Sequence, residues 1–139
     1  MLLVATAITS FAREKNADSK LFSDVSATFK NSSQLSWTTK DRYQQASFSF
    51  RNQAASAYYS LENNELIGFR IQLNKTELPQ VVSESIKAKY GNWEVVDAIT
   101  FIDASGHVNY FTQVYKDNKS IILKTTPDGK LSVYSRMSI

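Results

Sequence analysis

The residue best suited to proton transfer in this chain is its single histidine, His107, which follows Gly106 with Asp103 and Ser105 just upstream. A Ser-His-Asp triad needs an imidazole oriented by a buried carboxylate and a serine hydroxyl within reach. Three such residues inside one short turn cannot easily converge that way, so His107 reads as a solvated hairpin residue. The chain has no cysteine, which removes disulfides, thiolate nucleophiles and cysteine zinc sites. One histidine is too few for a zinc site of the usual kind. Asp103-Ala104-Ser105-Gly106 and Asp117-Asn118 are the clustered oxygens a calcium ion would want. Neither has the alternating acids and closing glutamate of a calcium loop, and turn chemistry explains both. Four glycines in the whole chain leave no phosphate-cradling loop. Asp97 lies among Val95, Val96, Ala98 and Ile99 and shares an alternation face with Val95 and Ile99. No second carboxylate pairs with it, so its expected role is to accept hydrogen bonds at an internal seam. The sequence therefore points away from an enzyme and assigns no catalytic residue, cofactor or metal.

The totals agree with a packed domain. The 139 residues are 42% hydrophobic and 21% charged, enough apolar surface for a core and too little charge for wholesale disorder. Lys and Arg number 16 against 13 Asp and Glu, a net charge of +3. The basic residues are scattered rather than gathered into a run, which argues against nucleic acid as a partner. The densest pair, Lys87 and Lys89, suits the C-terminal end of a helix. Residues 1–12, MLLVATAITSFA, are apolar and uncharged and precede the charged run Arg13-Glu14-Lys15. Small residues at Ser10 and Ala12 fit a cleavage site, so this segment is expected to be the remnant of an export signal. An N-terminal strand or buried arm is the other reading of it. It is too short to span a bilayer, which takes about 20 apolar residues, and no other stretch approaches that length. Residues 13–17 read as a polar spacer.

The elements that would position any site emerge from hydrophobic spacing. Asp18-Ser19 offers a helix N-cap, and Leu21, Val25 and Phe29 form a stripe at helical spacing. From Trp37 the period becomes two. Ala46, Phe48 and Phe50 alternate with polar residues, as do Ala57, Tyr59 and Leu61, then Ile67, Phe69, Ile71 and Leu73. These predict antiparallel strands with one wet face. Thr76-Glu77-Leu78-Pro79 then opens a second helix, with Leu78, Val82, Ile86 and Tyr90 as its stripe and Gly91 as a left-handed C-cap. Strands come next near 93–102, 107–116, 119–125 and 130–137. Leu21, Val25, Ser26, Phe29 and Lys30 match Leu78, Val82, Ser83, Ile86 and Lys87 at one fixed offset, and Trp37 and Trp93 occupy the start of the first strand in each half. The predicted architecture is α+β: a tandem repeat of a helix plus a four-stranded antiparallel meander, residues 18–74 and 75–139. One such unit buries too little surface alone, so two would join their sheets, with both helices on one face.

The run Leu66-Ile67-Gly68-Phe69-Arg70, then Leu78-Pro79, Val82, Ile86, Tyr90, Trp93-Glu94-Val95, Asp97-Ala98 and Pro127-Asp128-Gly129, resembles the PepSY-like family. Phe29, Trp37, Tyr43, the Phe48/Phe50 strand and Tyr58-Tyr59 extend the resemblance to residues 20–137. It implies the fold of the β-lactamase-inhibitor-protein-like group, export beyond the inner membrane of a bacterium, no catalytic residues, and binding or inhibitory roles. The chain lacks the disulfides of the β-lactamase inhibitor proteins, so their particular target does not transfer with the fold.

Alternation adds a candidate surface. If Phe48, Tyr59, Phe69, Tyr110 and Val133 face the helices, then Tyr58, Arg70, Phe111, Gln113, Tyr115, Tyr134 and Arg136 face outward. Tyr and Arg are common interface anchors, although a cross-strand aromatic ladder can also serve the sheet alone. The expected function is a non-catalytic periplasmic or secreted module that binds a protein partner and inhibits an envelope enzyme of the peptidase type. The alternative is a small-molecule or envelope-polymer binder with a groove between the two repeats lined by Trp37 and Trp93. The sequons at Asn31, Asn74 and Asn118 matter only in a eukaryotic secretory route, which the resemblance argues against.

Overall fold

The computed structural model describes residues 20–138. The expected export remnant at 1–12, the spacer at 13–17 and the Asp18-Ser19 cap lie outside the described residues. The first helix, α1, covers 20–30. Four strands come after it: β1 (Ser36–Thr39), β2 (Tyr43–Phe50), β3 (Gln53–Ser60) and β4 (Leu66–Leu73). A short 3-10 turn, Lys75–Glu77, leads into α2 (Gln80–Tyr90). The last four strands are β5 (Glu94–Asp103), β6 (Val108–Lys116), β7 (Lys119–Thr125) and β8 (Leu131–Ser138). Every strand pairs antiparallel with the next in sequence, giving one eight-stranded α+β meander in the order β1 to β8.

Both helices lie on the same side of this sheet. Val25 and Phe29 of α1 pack with Phe48, Phe69, Ile71 and Ile102. Val82 and Ile86 of α2 pack with Val114, Ile121 and Leu123. The pairs Phe69–Ile102 and Ile102–Val108 place these residues on one face, and Val114 shares the parity of Val108. Tyr110 touches both clusters and joins them into one layer. Burying this layer is the main force that holds the helices down.

Tight turns set the register. Arg51 and Asn52 both have positive φ, as do Asp117 and Asn118, the geometry of two-residue hairpins whose twist matches that of the strands. Arg51 also donates to Asp24 of α1 at 2.9 Å. Gly129, at φ +94°, sits where a Cβ would meet Ser85 Oγ and Val81 Cγ1, both at 2.9 Å. Ser85 Oγ donates to the Gly129 carbonyl at 2.8 Å, which ties the β7–β8 turn to α2. In the same turn the Thr126 hydroxyl bonds to the Asp128 carboxylate and holds its pKa below the usual value.

Three expectations need correction. The second helix starts after Pro79 rather than at Thr76, because Leu78 and Pro79 are extended and the preceding turn is a separate 3-10 element. Asn74 and Glu77 close a capping box over that element. Gly91 is right-handed, at φ −61°, so it is no left-handed cap. A Cβ there would meet the Lys87 carbonyl at 2.8 Å, which is a reason of close approach instead. Arg136 does not join the outward face. Tyr134 is an unpaired bulge residue, and beyond it Arg136 pairs with Ile121 of the helix-side core.

Thr112 and Thr125 have hydroxyls that are fully buried on the helix side with no hydrogen-bond partner among the described residues. A desolvated polar atom without a partner costs free energy, and an apolar group of the same shape does not. Thr112→Val is therefore expected to raise stability by about 1 kcal/mol, read as a higher urea midpoint with an unchanged slope. A lower midpoint would mean the hydroxyl is satisfied in solution.

Candidate functional site: the uncovered sheet face

The face opposite the helices has no helix over it among the described residues. It is built from alternate residues of all the long strands. Ser56 pairs with Arg70 and Arg70 with Phe101. Ile99 pairs with Phe111, Asp97 with Gln113, and Gln113 with Ile122. Cross-strand partners share a face, so these residues form rows running across the sheet. Tyr58 contacts Tyr43 and Phe101, with ring centroids 5.3 and 6.3 Å apart. Phe111 meets Tyr134 edge to face at 5.0 Å.

Between these aromatics lies a shallow depression of about 360 Å³. Arg70, Phe101, Phe111, Gln113, Ile122 and Tyr134 are among its walls. Its surface is mainly apolar, and Tyr134 at its rim is 65% exposed. An uncovered apolar hollow of this kind is a place where association releases water. Polar side chains frame it. Gln72 Nε2 donates to Asp97 Oδ1 at 2.5 Å and to the Ala98 carbonyl at 3.1 Å. Asp97 Oδ1 also accepts the Ala98 N–H at 2.9 Å. The two Gln72 bonds stitch β4 to β5, the seam between the two sets of strands. The Asp97 carboxylate thus accepts hydrogen bonds at that seam, as the sequence suggested. Among the described residues Arg70 makes one long side-chain hydrogen bond, 3.4 Å, to Gln72 Oε1.

Of the seven residues predicted to face outward, Arg70, Phe111, Gln113 and Tyr134 meet around the depression. Tyr58 lies on the same face, against Phe101. Tyr115 lies toward one end, where its hydroxyl donates to Asn118 Oδ1 at 3.0 Å. Arg136 is turned away by the bulge. The sequence reading missed Ile99, Phe101 and Ile122. In β5 the signal was masked by a second bulge at Val96. Val95 consequently pairs with Val114 on the helix side and does not share a face with Asp97.

Phe101 owes its position to Gly68. A Cβ on Gly68 would lie 2.7 Å from the Phe101 ring and 2.5 Å from the Ile102 carbonyl. The ring occupies the room a side chain would need, an aromatic laid over a strand glycine.

The other candidates behave as turns or packing. Asp103 Oδ1 accepts the N–H groups of Ser105 and His107 at 2.9 and 3.0 Å. His107 Nδ1 is 3.4 Å from Asp103 Oδ2, and the imidazole is 77% exposed. An exposed ring beside a turn carboxylate, with no oriented serine partner shown, is no hydrolytic triad. Among the described residues no three His, Asp or Glu side chains converge as a metal site. Trp37 packs against Phe29 and Tyr59 at the edge of the first cluster, and Trp93 against Tyr90 in the second. They do not share a groove.

The geometry is that of a β-lactamase-inhibitor-protein-like (BLIP-like) fold. A BLIP-like protein from Bacteroides fragilis superposes with a TM-score of 0.66 at 18% identity, covering 90% of this chain and 83% of that one. A DUF2874 family protein from Bacteroides ovatus gives 0.67 at 19% identity, with 83% and 85% covered. A Bacteroides eggerthii protein described as periplasmic gives 0.67 at 15% identity, with 84% of each chain covered. At these identities the likeness is one of fold. No family model matches the chain, so the PepSY-like resemblance is not confirmed, and no curated protein matches it. Among the described residues no helix is long and apolar enough to cross a membrane.

Proposed function

We propose that this chain is a non-catalytic periplasmic or secreted binding module that grips a protein partner with its uncovered sheet face. The observation that carries this reading is the apolar depression walled by Phe101, Phe111, Ile122 and Tyr134 on the side no described helix covers. Large side chains held on paired strands lose little freedom on binding, so they suit anchoring. Affinity in such faces comes from a few desolvated anchors rather than total area. Phe111 and Tyr134 fill that role, with Tyr58, Gln113 and Tyr115 around them and Arg70 offering unpaired donors. An inhibitor of an envelope enzyme would work this way by exclusion, the rigid sheet occupying a cleft. The BLIP-like and periplasmic descriptions of the fold neighbours are in keeping with that role and compartment.

The two halves read as copies of one helix-plus-meander unit. Gln45 donates to Ser56 at 3.0 Å and Gln113 to Ser120 at 2.7 Å. Each pair links the second and third strands of its own half on the outward face, a correspondence that supports duplication. The alternative of a ligand groove lined by both tryptophans finds no support, because Trp37 packs against Phe29 and Tyr59 while Trp93 packs in the other cluster against Tyr90.

The test is affinity capture from the native envelope fraction with wild type and with Phe111→Glu and Tyr134→Glu. Each charge placed in the depression is expected to weaken retention of the partner at least about 30-fold, the loss of a strong anchor. Circular dichroism should be unchanged, since both sites lie outside the helix-side core. Full retention by both folded variants would remove the face as the binding site.

A further inference from the structure

The uncovered face carries cations that no acid of the same face neutralises. Arg70 stands in its row between Ser56 and Phe101, half-buried, and lines the apolar depression. Its guanidinium lies along that face, because Nη2 reaches Gln72 Oε1 on the same strand and the same side. Among the described residues no carboxylate comes within ion-pair distance of it. Several N–H donors of a planar fork are therefore left beside apolar walls. Lys124 adds a second cation to this face, in the row between Phe111 and Ser132, and it too has no ion-pair partner among the described residues. The acids are committed or distant. Asp97 is the one carboxylate that lines the depression, and its Oδ1 is taken by the Gln72 amide and the Ala98 N–H. The Gln72 amide stands between the two charges, Oε1 toward Arg70 and Nε2 toward Asp97. Glu94 and Asp103 are at the two ends of β5, and Asp103 is held by the Ser105 and His107 N–H groups.

Resting on that face as the binding surface, we propose that the partner offers it an acidic segment: an apolar side chain enters the depression, and a carboxylate next to it takes the Arg70 guanidinium. A forked guanidinium bonds a carboxylate through paired N–H groups, a match that a point charge does not make. Burying the apolar side chain removes water from that pair and strengthens it. Lys124 and the chain's net charge of +3 favour a partner of the same sign. A basic partner would bury Arg70 against a like charge, which costs free energy. A neutral apolar one would strip water from its donors and return no acceptor.

The probe is the peptide acetyl-Ala-Glu-Leu-Glu-Ala-amide, titrated at constant ionic strength into isotope-labelled protein and followed by backbone amide NMR shifts. Saturable shifts around Phe101, Phe111 and Gln113 are expected. The neutral counterpart, with Gln for both Glu, should bind about tenfold more weakly. Arg70→Gln should remove most of that preference, and adding Lys124→Gln the rest, which leaves the two peptides within about twofold of each other. Lys20→Gln and Lys89→Gln, on the helices, should change binding less than about twofold. Equal affinity for the two peptides, no saturable shift from the acidic one, or a preference that survives the folded double variant overturns the inference. The face itself is judged separately, by capture with Phe111→Glu and Tyr134→Glu. Partner lost from those variants, with no preference for the acidic peptide, would sink the partner's chemistry alone.

Discussion

Phe69→Ala is expected to cost about 3–5 kcal/mol, a large share of the stability of a domain this size. The side chain is 1% exposed and sits where α1 meets the middle of the sheet. Its ring lies 5.8 Å from Phe22, 5.9 Å from Phe29 and 6.2 Å from Phe48. Truncation removes the transfer free energy of the ring and leaves a cavity walled by three other aromatics and a rigid strand. The Ala57–Phe69 and Phe69–Ile102 pairings hold the strand itself in place, so only α1 could move toward the space. Phe69→Leu, which keeps most of the volume, should cost much less. Urea denaturation read by far-ultraviolet circular dichroism measures both. A loss under about 1 kcal/mol for the alanine variant would mean that α1 can settle into the space.

The second large effect concerns Gly68. Gly68→Val is expected to destabilise by about 3 kcal/mol, at the upper end of overpacking costs. The new side chain meets the Ile102 carbonyl and the Phe101 ring together. Unlike the loss at Phe69, this one should also reach the uncovered face, because Phe101 is a wall of the depression there. The milder Gly68→Ala separates the two contacts. Combined with Phe101→Ala it should recover only the share due to the ring, since the carbonyl cannot move away. Additive losses in that pair would show that ring and glycine are not coupled.

Helices and strands were legible because their periods differ: Val25 and Phe29 against Phe48 and Phe50 need no further information. The choice of one helical side was legible too, since Phe69, Tyr110 and Val133 share the parity that turns them toward the helices, Val133 as the partner of Leu123. What escaped was produced by single residues that break parity. Ile67, Val96 and Tyr134 each add one residue to a strand with no partner opposite. A bulge leaves no signature in composition, because valine, isoleucine and tyrosine are ordinary strand residues. Its effect on the remainder of the strand is total, as a shift of one exchanges the two faces. That is why simple alternation puts Arg136 outside and leaves Ile99 and Phe101 unplaced. The Arg51-Asn52 hairpin was hidden for a related reason: arginine is an unusual choice for positive φ, and it is held there with its guanidinium over the Phe50 ring at 4.6 Å and bonded to Asp24.

The strand order has a bearing on how the molecule comes into being. With each strand beside its predecessor, no stretch of chain must wait for a distant one before it can pair. Loop-closure entropy is therefore met in small steps, one short turn at a time. A chain emerging from its N-terminal end can lay down the first four strands under α1 while the rest is still being delivered. Each later hairpin then finds a finished edge to grow on, so assembly proceeds like zipping from one margin to the other. Topologies of this local kind fold quickly for their β content, and each growing edge is covered by the next hairpin until only β1 and β8 stand as the margins of the finished sheet.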